Sequence, residues 1–190
     1  MPSGSLRPRC AAMKPAIFLD RDGTLNVEKH YLYRQEDWEW IPGAREAIKA
    51  FNDAGWYVVI VTNQAGIAHG YYSEADLTRL NGFIRDQLAQ IGAHVDLYLH
   101  CPHHPDETGP CACRKPSPGM LRMACAALPI DSRRSYLLGD RVTDLDAARA
   151  LGVTPVLVRT GYGETEAPHA GDARIVPSIA EAVRLILPGA

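Results

Sequence analysis

Short runs of apolar and β-branched residues recur along the chain, separated by segments whose apolar positions fall on one helical face. Ala16–Leu19, Tyr57–Thr62, Val95–Leu99, Ser135–Leu138 and Pro155–Val158 are apolar with little alternation, the pattern of strands buried on both faces. Between them, Pro42 and Gly43 open a segment that places Ala44, Ala47, Ile48 and Phe51 on one face and stops at Gly55. Ser73 with Asp76 opens a second helix, whose buried stripe is Leu77, Leu80, Ile84, Leu88 and Ile91. A third begins at Ser117 and Pro118 and ends near Pro129, a fourth runs from about Thr143 to Leu151, and a last one spans Ser178 to Leu187. Strands alternating with helices of this length predict an α/β fold: a Rossmann-like, doubly wound, mainly parallel sheet with helices on both faces. In such sheets ligands gather beyond the carboxyl ends of the strands, so the chemistry is expected just after each strand.

Composition narrows this picture. The 190 residues, 46% of them hydrophobic, suffice for one well-buried domain, expected over residues 15–190. The opening stretch, residues 1–14, is rich in Pro, Gly, Ser and Arg and reads as a flexible tail. With 20 basic and 22 acidic side chains and a net charge of −2, no global field favours nucleic acid or an anionic membrane. No apolar run has the length of a bilayer span, and the opening lacks the apolar core of a signal peptide. A cytoplasmic monomer acting on a small molecule is expected.

Three of the predicted strands, and the approach to one helix, carry polar residues with chemical potential. After the first stands Asp20-Arg21-Asp22-Gly23-Thr24: a carboxylate nucleophile can form an aspartyl-phosphate while a second carboxylate handles protons. The second ends in Thr62-Asn63-Gln64, a hydroxyl and two amides suited to a transferring phosphoryl group. Arg114-Lys115-Pro116 offers two cations before a helix. The fourth runs into Gly139-Asp140-Arg141-Val142-Thr143-Asp144, two acids four apart that suit a hard cation. Singly, each has a plain structural explanation as a turn, a strand end, a basic surface or a helix cap; jointly, at successive strand ends, they describe a phosphoryl-transfer site.

Between the third strand and Lys115, three cysteines and two histidines crowd into 101–113. Such density in a Pro- and Gly-rich loop reads as structural zinc held by Cys101, His103, Cys111 and Cys113, with His104 in reserve. The zinc would staple the loop and fix Arg114 and Lys115. Cys125, within MLRMACAAL, reads as a core thiol.

The four motifs resemble those of the haloacid dehalogenase (HAD) superfamily. The resemblance implies Asp20 as nucleophile, Asp22 as general acid/base, and Thr62 and Lys115 as phosphate stabilisers. It implies Mg²⁺ held by Asp20, Asp22 and Asp140, with Asp144 orienting the metal shell through water. The interval from Asp22 to Thr62 leaves no room for a separate cap domain, so an open site is expected. More narrowly, DRDGTLN, VTNQAGIAHGYYSEADL, CPHHP, CACRKPSPGM and GDRVTDL resemble the heptose-1,7-bisphosphate 7-phosphatases of the histidinol-phosphatase-like subfamily, over nearly everything from Ala16 onward. That resemblance implies a small phosphorylated sugar as substrate. Arg114 would meet the retained sugar part, Asn63, Gln64 and the stretch Glu28, Lys29, His30 and Tyr31 would line the pocket, and Arg141 would face an anionic ligand. Histidinol-phosphate phosphatase is the nearest alternative, since its domain shares these motifs. A polynucleotide end-phosphatase sits poorly with the near-neutral charge, and a non-catalytic zinc module would not need Asp20, Asp22, Lys115 and Asp140 together.

Overall fold

The computed structural model describes residues 12–187. Six strands form one parallel sheet: β1 (Ala16–Leu19), β2 (Tyr57–Asn63), β3 (Leu97–Cys101), β4 (Tyr136–Gly139), β5 (Thr154–Val158) and β6 (Arg174–Val176), in the order β3-β2-β1-β4-β5-β6. β1, at the centre, is buried at every residue and pairs with β2 on one side and β4 on the other. The order reverses at β1, so the crevice outside its carboxyl end, where neighbouring connections leave in opposite directions, is the expected ligand position.

Helices cover both faces: α1 (Ala44–Asp53), α2 (Glu74–Ala89), α4 (Gly119–Ala127), α5 (Val142–Arg149) and α7 (Ile179–Ile186), with short turns of helix at α3 (Pro105–Thr108) and α6 (Gly163–Glu166). One apolar layer joins α1, α2 and α7 to the sheet through Ile48, Phe51, Ile84, Leu88 and Ile179; the other joins α4 and α5 through Met120, Leu121 and Ala147. Ser73 caps α2 in a reciprocal box with Asp76, which satisfies two otherwise free backbone amides. Ser178 caps α7 in the same region of its sequence as expected.

The differences from the sequence reading have simple causes. β3 starts at Leu97, two residues later than expected: the Asp96 amide still donates to the Val58 carbonyl, but the Val58 amide is taken by the Asp96 carboxylate in place of a backbone carbonyl. This carries the strand to Cys101, which pairs in register with Asn63. α2 ends at Ala89, so Ile91 lies beyond the helix, and α4 is shorter at both ends than residues 117–129. β6 was not expected: it has three residues, and Arg174 and Ile175 are exposed. Residues 1–11 of the expected tail lie outside the described residues; Lys14 already pairs with the backbone of Pro129 and Asp131. Between Asp22 and Thr62 stand only loop, one turn of 3-10 helix at Gln35–Asp37, α1 and β2, so nothing covers the strand ends as a separate cap. Among the described residues, no helix is long and apolar enough to cross a membrane.

Candidate active site

A cavity of about 580 Å³ opens at the carboxyl ends of β1, β2 and β4, with Asp20, Asp22, Thr62, Lys115 and Asp144 in its wall. The Asp20 carboxylate leaves the sheet directly after β1, and its backbone amide is tied to the Leu138 carbonyl of β4. Lys115 reaches the same point from 95 positions away: its Nζ donates to Asp20 Oδ1 at 2.7 Å and to the Val61 carbonyl at 2.8 Å. It also pairs with Asp144 Oδ1 at 2.6 Å. Asn63 anchors the lysine's main chain in both directions, accepting from the Lys115 amide and donating to its carbonyl. The residue expected to line the substrate pocket therefore also aims the cation.

Asp20, Asp140 and Asp144 bring one carboxylate oxygen each within 4.8 Å of one another. Burial pushes the Asp20 carboxyl up to about 7, against the pull of the Lys115 ammonium and with the push of Asp144. Burial likewise takes Asp140 up to about 8, helped by Asp20 and opposed by the Tyr162 amide. For Lys115, burial acts to lower the pKa, but Asp144 and Asp20 outweigh it and hold the ammonium above the usual lysine value. Three buried acids facing one lysine leave an excess of negative charge.

The donor set fits a hard divalent cation. Asp140 Oδ1 is buried with no hydrogen-bond partner, a costly state for a carboxylate oxygen unless a cation meets it. Its other oxygen accepts from the Tyr162 amide at 2.8 Å. Two glycines at positive φ, Gly23 (+81°) and Gly161 (+59°), press on this carboxylate, and a Cβ on either would collide with it. Asp144 is committed through both oxygens, one to Lys115 and one to the Arg141 amide, which suits an orienting role.

Asp22 stands apart from this cluster. Its carboxylate accepts from Arg21 Nε and NH2, from Asn26 Nδ2 at 3.1 Å and from Gln64 Nε2 at 2.9 Å. The resemblance places Asp22 at the metal with Asp20 and Asp140; its side-chain oxygens accept these hydrogen bonds and lie outside the set gathered by Asp20, Asp140 and Asp144. Thr62 Oγ1 accepts from the same Gln64 amide at 2.8 Å and borders the cavity.

Of the expected pocket residues, Glu28, His30, Tyr31, Asn63, Gln64, Arg114 and Arg141 do border the cavity. Lys29 does not; its ammonium pairs with Glu39 on the outside, 3.1 Å away. Tyr72 and Tyr162 border the cavity as well. Tyr72 Oη donates to Gln64 Oε1, and the Tyr162 ring lies under the Arg141 guanidinium at 3.7 Å. The backbone of the turn that carries Gly161 and Tyr162 holds Asp140.

Cys101, Cys111 and Cys113 meet at the edge of the sheet with Sγ separations of 3.0, 3.5 and 3.6 Å, too long for a disulfide and close to the edges of a shared coordination polyhedron. Burial pushes the Cys101 thiol up, so without a cation this sulfur stays protonated. His103 is not part of the gathered set, although its carbonyl accepts from Arg114 NH1 at 3.1 Å. His104 is used elsewhere, capping α3 through Nδ1 and packing on His69.

A family model described as HAD-hydrolase-like matches residues 112–182. The chain is 40% identical over 179 residues to D-glycero-beta-D-manno-heptose-1,7-bisphosphate 7-phosphatase of Pasteurella multocida (strain Pm70), covering 92% of this chain and 97% of the relative. It is 44% identical over 158 residues to the Haemophilus ducreyi protein of the same name, covering 80% and 87%. The chain belongs to the heptose-1,7-bisphosphate 7-phosphatase family. A solved member, D,D-heptose 1,7-bisphosphate phosphatase from B. bronchiseptica complexed with magnesium and phosphate, superposes with a TM-score of 0.85 at 36% identity, covering 94% of this chain and 100% of that one. Within this phosphatase family, the six-stranded parallel sheet and the acid cluster at the end of β1 are accounted for as one HAD-type hydrolase site.

Proposed function

We propose that this phosphatase removes the 7-phosphate of D-glycero-D-manno-heptose 1,7-bisphosphate, in the formation of activated heptose for lipopolysaccharide core or surface polysaccharide, with Asp20 as nucleophile. The observation that carries the chemistry is the Asp20–Lys115–Asp144 arrangement beside the unpartnered oxygen of Asp140. The substrate follows from family membership together with two arginines, Arg114 and Arg141, in the wall of the cavity.

Asp20 and Asp140 would hold Mg²⁺, with Asp144 orienting the metal's shell; when bound, the ion offsets the charge of the transferring phosphoryl group and lowers the pKa of the carboxylates around it. Lys115 draws Asp20 toward its ionised form and positions it, and its ammonium reduces the repulsion between carboxylate and phosphate oxygens. Asp20 attacks phosphorus, and the bond to the sugar oxygen breaks. Asp22 gives its proton to the departing alkoxide. In the second half Asp22, now ionised, takes a proton from water as that water attacks the phosphoaspartate and frees Asp20. Thr62 and the Asn63 side chain border the path of the phosphoryl group. A structural zinc on Cys101, Cys111, Cys113 and an imidazole, His103 in this reading, would fix the loop that delivers Arg114 and Lys115.

The direct check is Asp20→Asn, assayed for phosphate release from the bisphosphate with Mg²⁺ present. Loss of turnover by at least about a thousandfold, with retained folding by circular dichroism, is expected; ordinary turnover would refute the covalent route.

A further inference from the structure

Arg21 occupies the unassigned position between the two acids, yet it is among the largest fully buried side chains, at 1% exposure. Its guanidinium makes two kinds of bond. Nε and NH2 fork onto Asp22 at 2.8–3.2 Å, and NH2 also donates to the Leu32 carbonyl at 2.8 Å. Leu32 directly follows His30 and Tyr31, the two non-glycine residues held at positive φ among the described residues, both in the cavity wall. The other donors to Asp22 share this double attachment. Asn26 Nδ2 also donates to the Val27 carbonyl, and Gln64, bonded to Asp22 through Nε2, accepts from Tyr72 Oη through Oε1 at 2.5 Å. The Tyr72 ring in turn stacks on Tyr33 with centroids 5.1 Å apart. Every side chain that holds Asp22 thus also grips one of the two segments, 27–33 and 64–72, that border the cavity.

We infer that Arg21 is a positioning residue: it makes Asp22 and the Val27–Tyr33 loop one rigid unit, so that the acid is aimed at the phosphoryl group only when that loop is seated. The inference rests on the proposed reaction, with Asp20 as nucleophile and Asp22 as proton carrier. A lysine could replace the charge of Arg21 but not its planar fork, which bonds the carboxylate and the carbonyl together. Losing the fork harms each step in proportion to its need for an aimed Asp22. Formation of phosphoaspartate from p-nitrophenyl phosphate needs no proton, because nitrophenolate is a stable leaving group. Its hydrolysis still needs Asp22 to take a proton from water, and formation from a sugar phosphate needs Asp22 to donate one.

The test is rapid-mixing kinetics of Arg21→Lys and Tyr72→Phe with p-nitrophenyl phosphate and saturating Mg²⁺, with the unaltered chain and Asp22→Asn as references. Arg21→Lys is expected to release a burst of about one nitrophenolate per enzyme and then to turn over at least about tenfold more slowly than the unaltered chain. Its Mg²⁺ half-saturation should stay within about twofold, because Asp20, Asp140 and Asp144 are not touched. Tyr72→Phe, which keeps the ring and loses only the outer bond, should show the same burst with a milder slowing, and it decides the matter if Arg21→Lys fails to fold. A proportional fall in both phases with weakened Mg²⁺ binding, or no burst in either variant while Asp22→Asn bursts, overturns the positioning role alone. If Asp22→Asn also shows no burst and no phosphoenzyme can be trapped, it is the underlying two-step reading that fails.

Discussion

Lys115 Nζ lies 2.7 Å from Asp20 Oδ1 in a setting where both side chains are nearly sealed from solvent. The same ammonium meets Asp144 Oδ1 at 2.6 Å, so one lysine holds two carboxylates that would otherwise repel each other. Removing one member of a buried ionic group leaves the rest uncompensated, at a cost of about 3 kcal/mol. Lys115→Ala should therefore lose stability by roughly that amount in urea denaturation, besides losing turnover. A variant as stable as the unaltered chain would show that the carboxylates do not depend on this cation.

The raised pKa values of Asp20 and Asp140, about 7 and about 8, carry a pH signature in Mg²⁺-free protein. Both are pushed up mainly by burial, so the folded chain keeps protons that the unfolded chain releases above about pH 4. The stability they contribute is complete below that point and is lost as pH rises through 7 to 8. Urea midpoints measured from pH 5 to pH 8 without Mg²⁺ should fall for the unaltered chain more steeply than for an Asp20→Asn, Asp140→Asn double variant. Added Mg²⁺ should restore more stability at pH 8 than at pH 5. Parallel pH dependences in the two proteins would contradict the assignment.

The gathered thiols lead to a prediction about the loop between β3 and Lys115. Metal analysis of purified protein should find about one zinc per chain, and Cys113→Ala should abolish it. Because Arg114 and Lys115 follow Cys113 directly, zinc loss should lower the melting temperature and raise KM for substrate. Protein stripped of zinc that kept full stability and an unchanged KM would remove the structural role.

Much of the framework was legible because its central strands are apolar on both faces. β1, β2, β4 and β5 announce themselves as unbroken runs, and burial of β1 at all four positions bears this out. β6 escaped notice because an edge strand of three residues with two exposed has no apolar run to display. At the site, acids and cations that follow strands could be placed from chain order alone, since a parallel sheet delivers every strand end to one edge. The geometry inside the cluster could not. Nothing in Asp20-Arg21-Asp22 tells which carboxylate faces Asp140 and which turns to the guanidinium, and Lys29 differs from a pocket lysine only by pairing outward with Glu39. One signal was available for Arg21: a charged residue next to a fully buried strand must find partners, and Asp22 and a backbone carbonyl were the nearest candidates. Tyr162 left no such trace, because its backbone amide, not its side chain, meets Asp140.

The central claim is the substrate, and initial rates of phosphate release decide it. With Mg²⁺ present, both anomers of heptose 1,7-bisphosphate and histidinol phosphate would be compared in parallel. A kcat/KM at least about a hundredfold higher for one heptose anomer than for histidinol phosphate is predicted, equivalent to about 2.7 kcal/mol of transition-state discrimination. Equal or faster hydrolysis of histidinol phosphate would leave the Asp20 chemistry standing and contradict the assignment of the sugar bisphosphate.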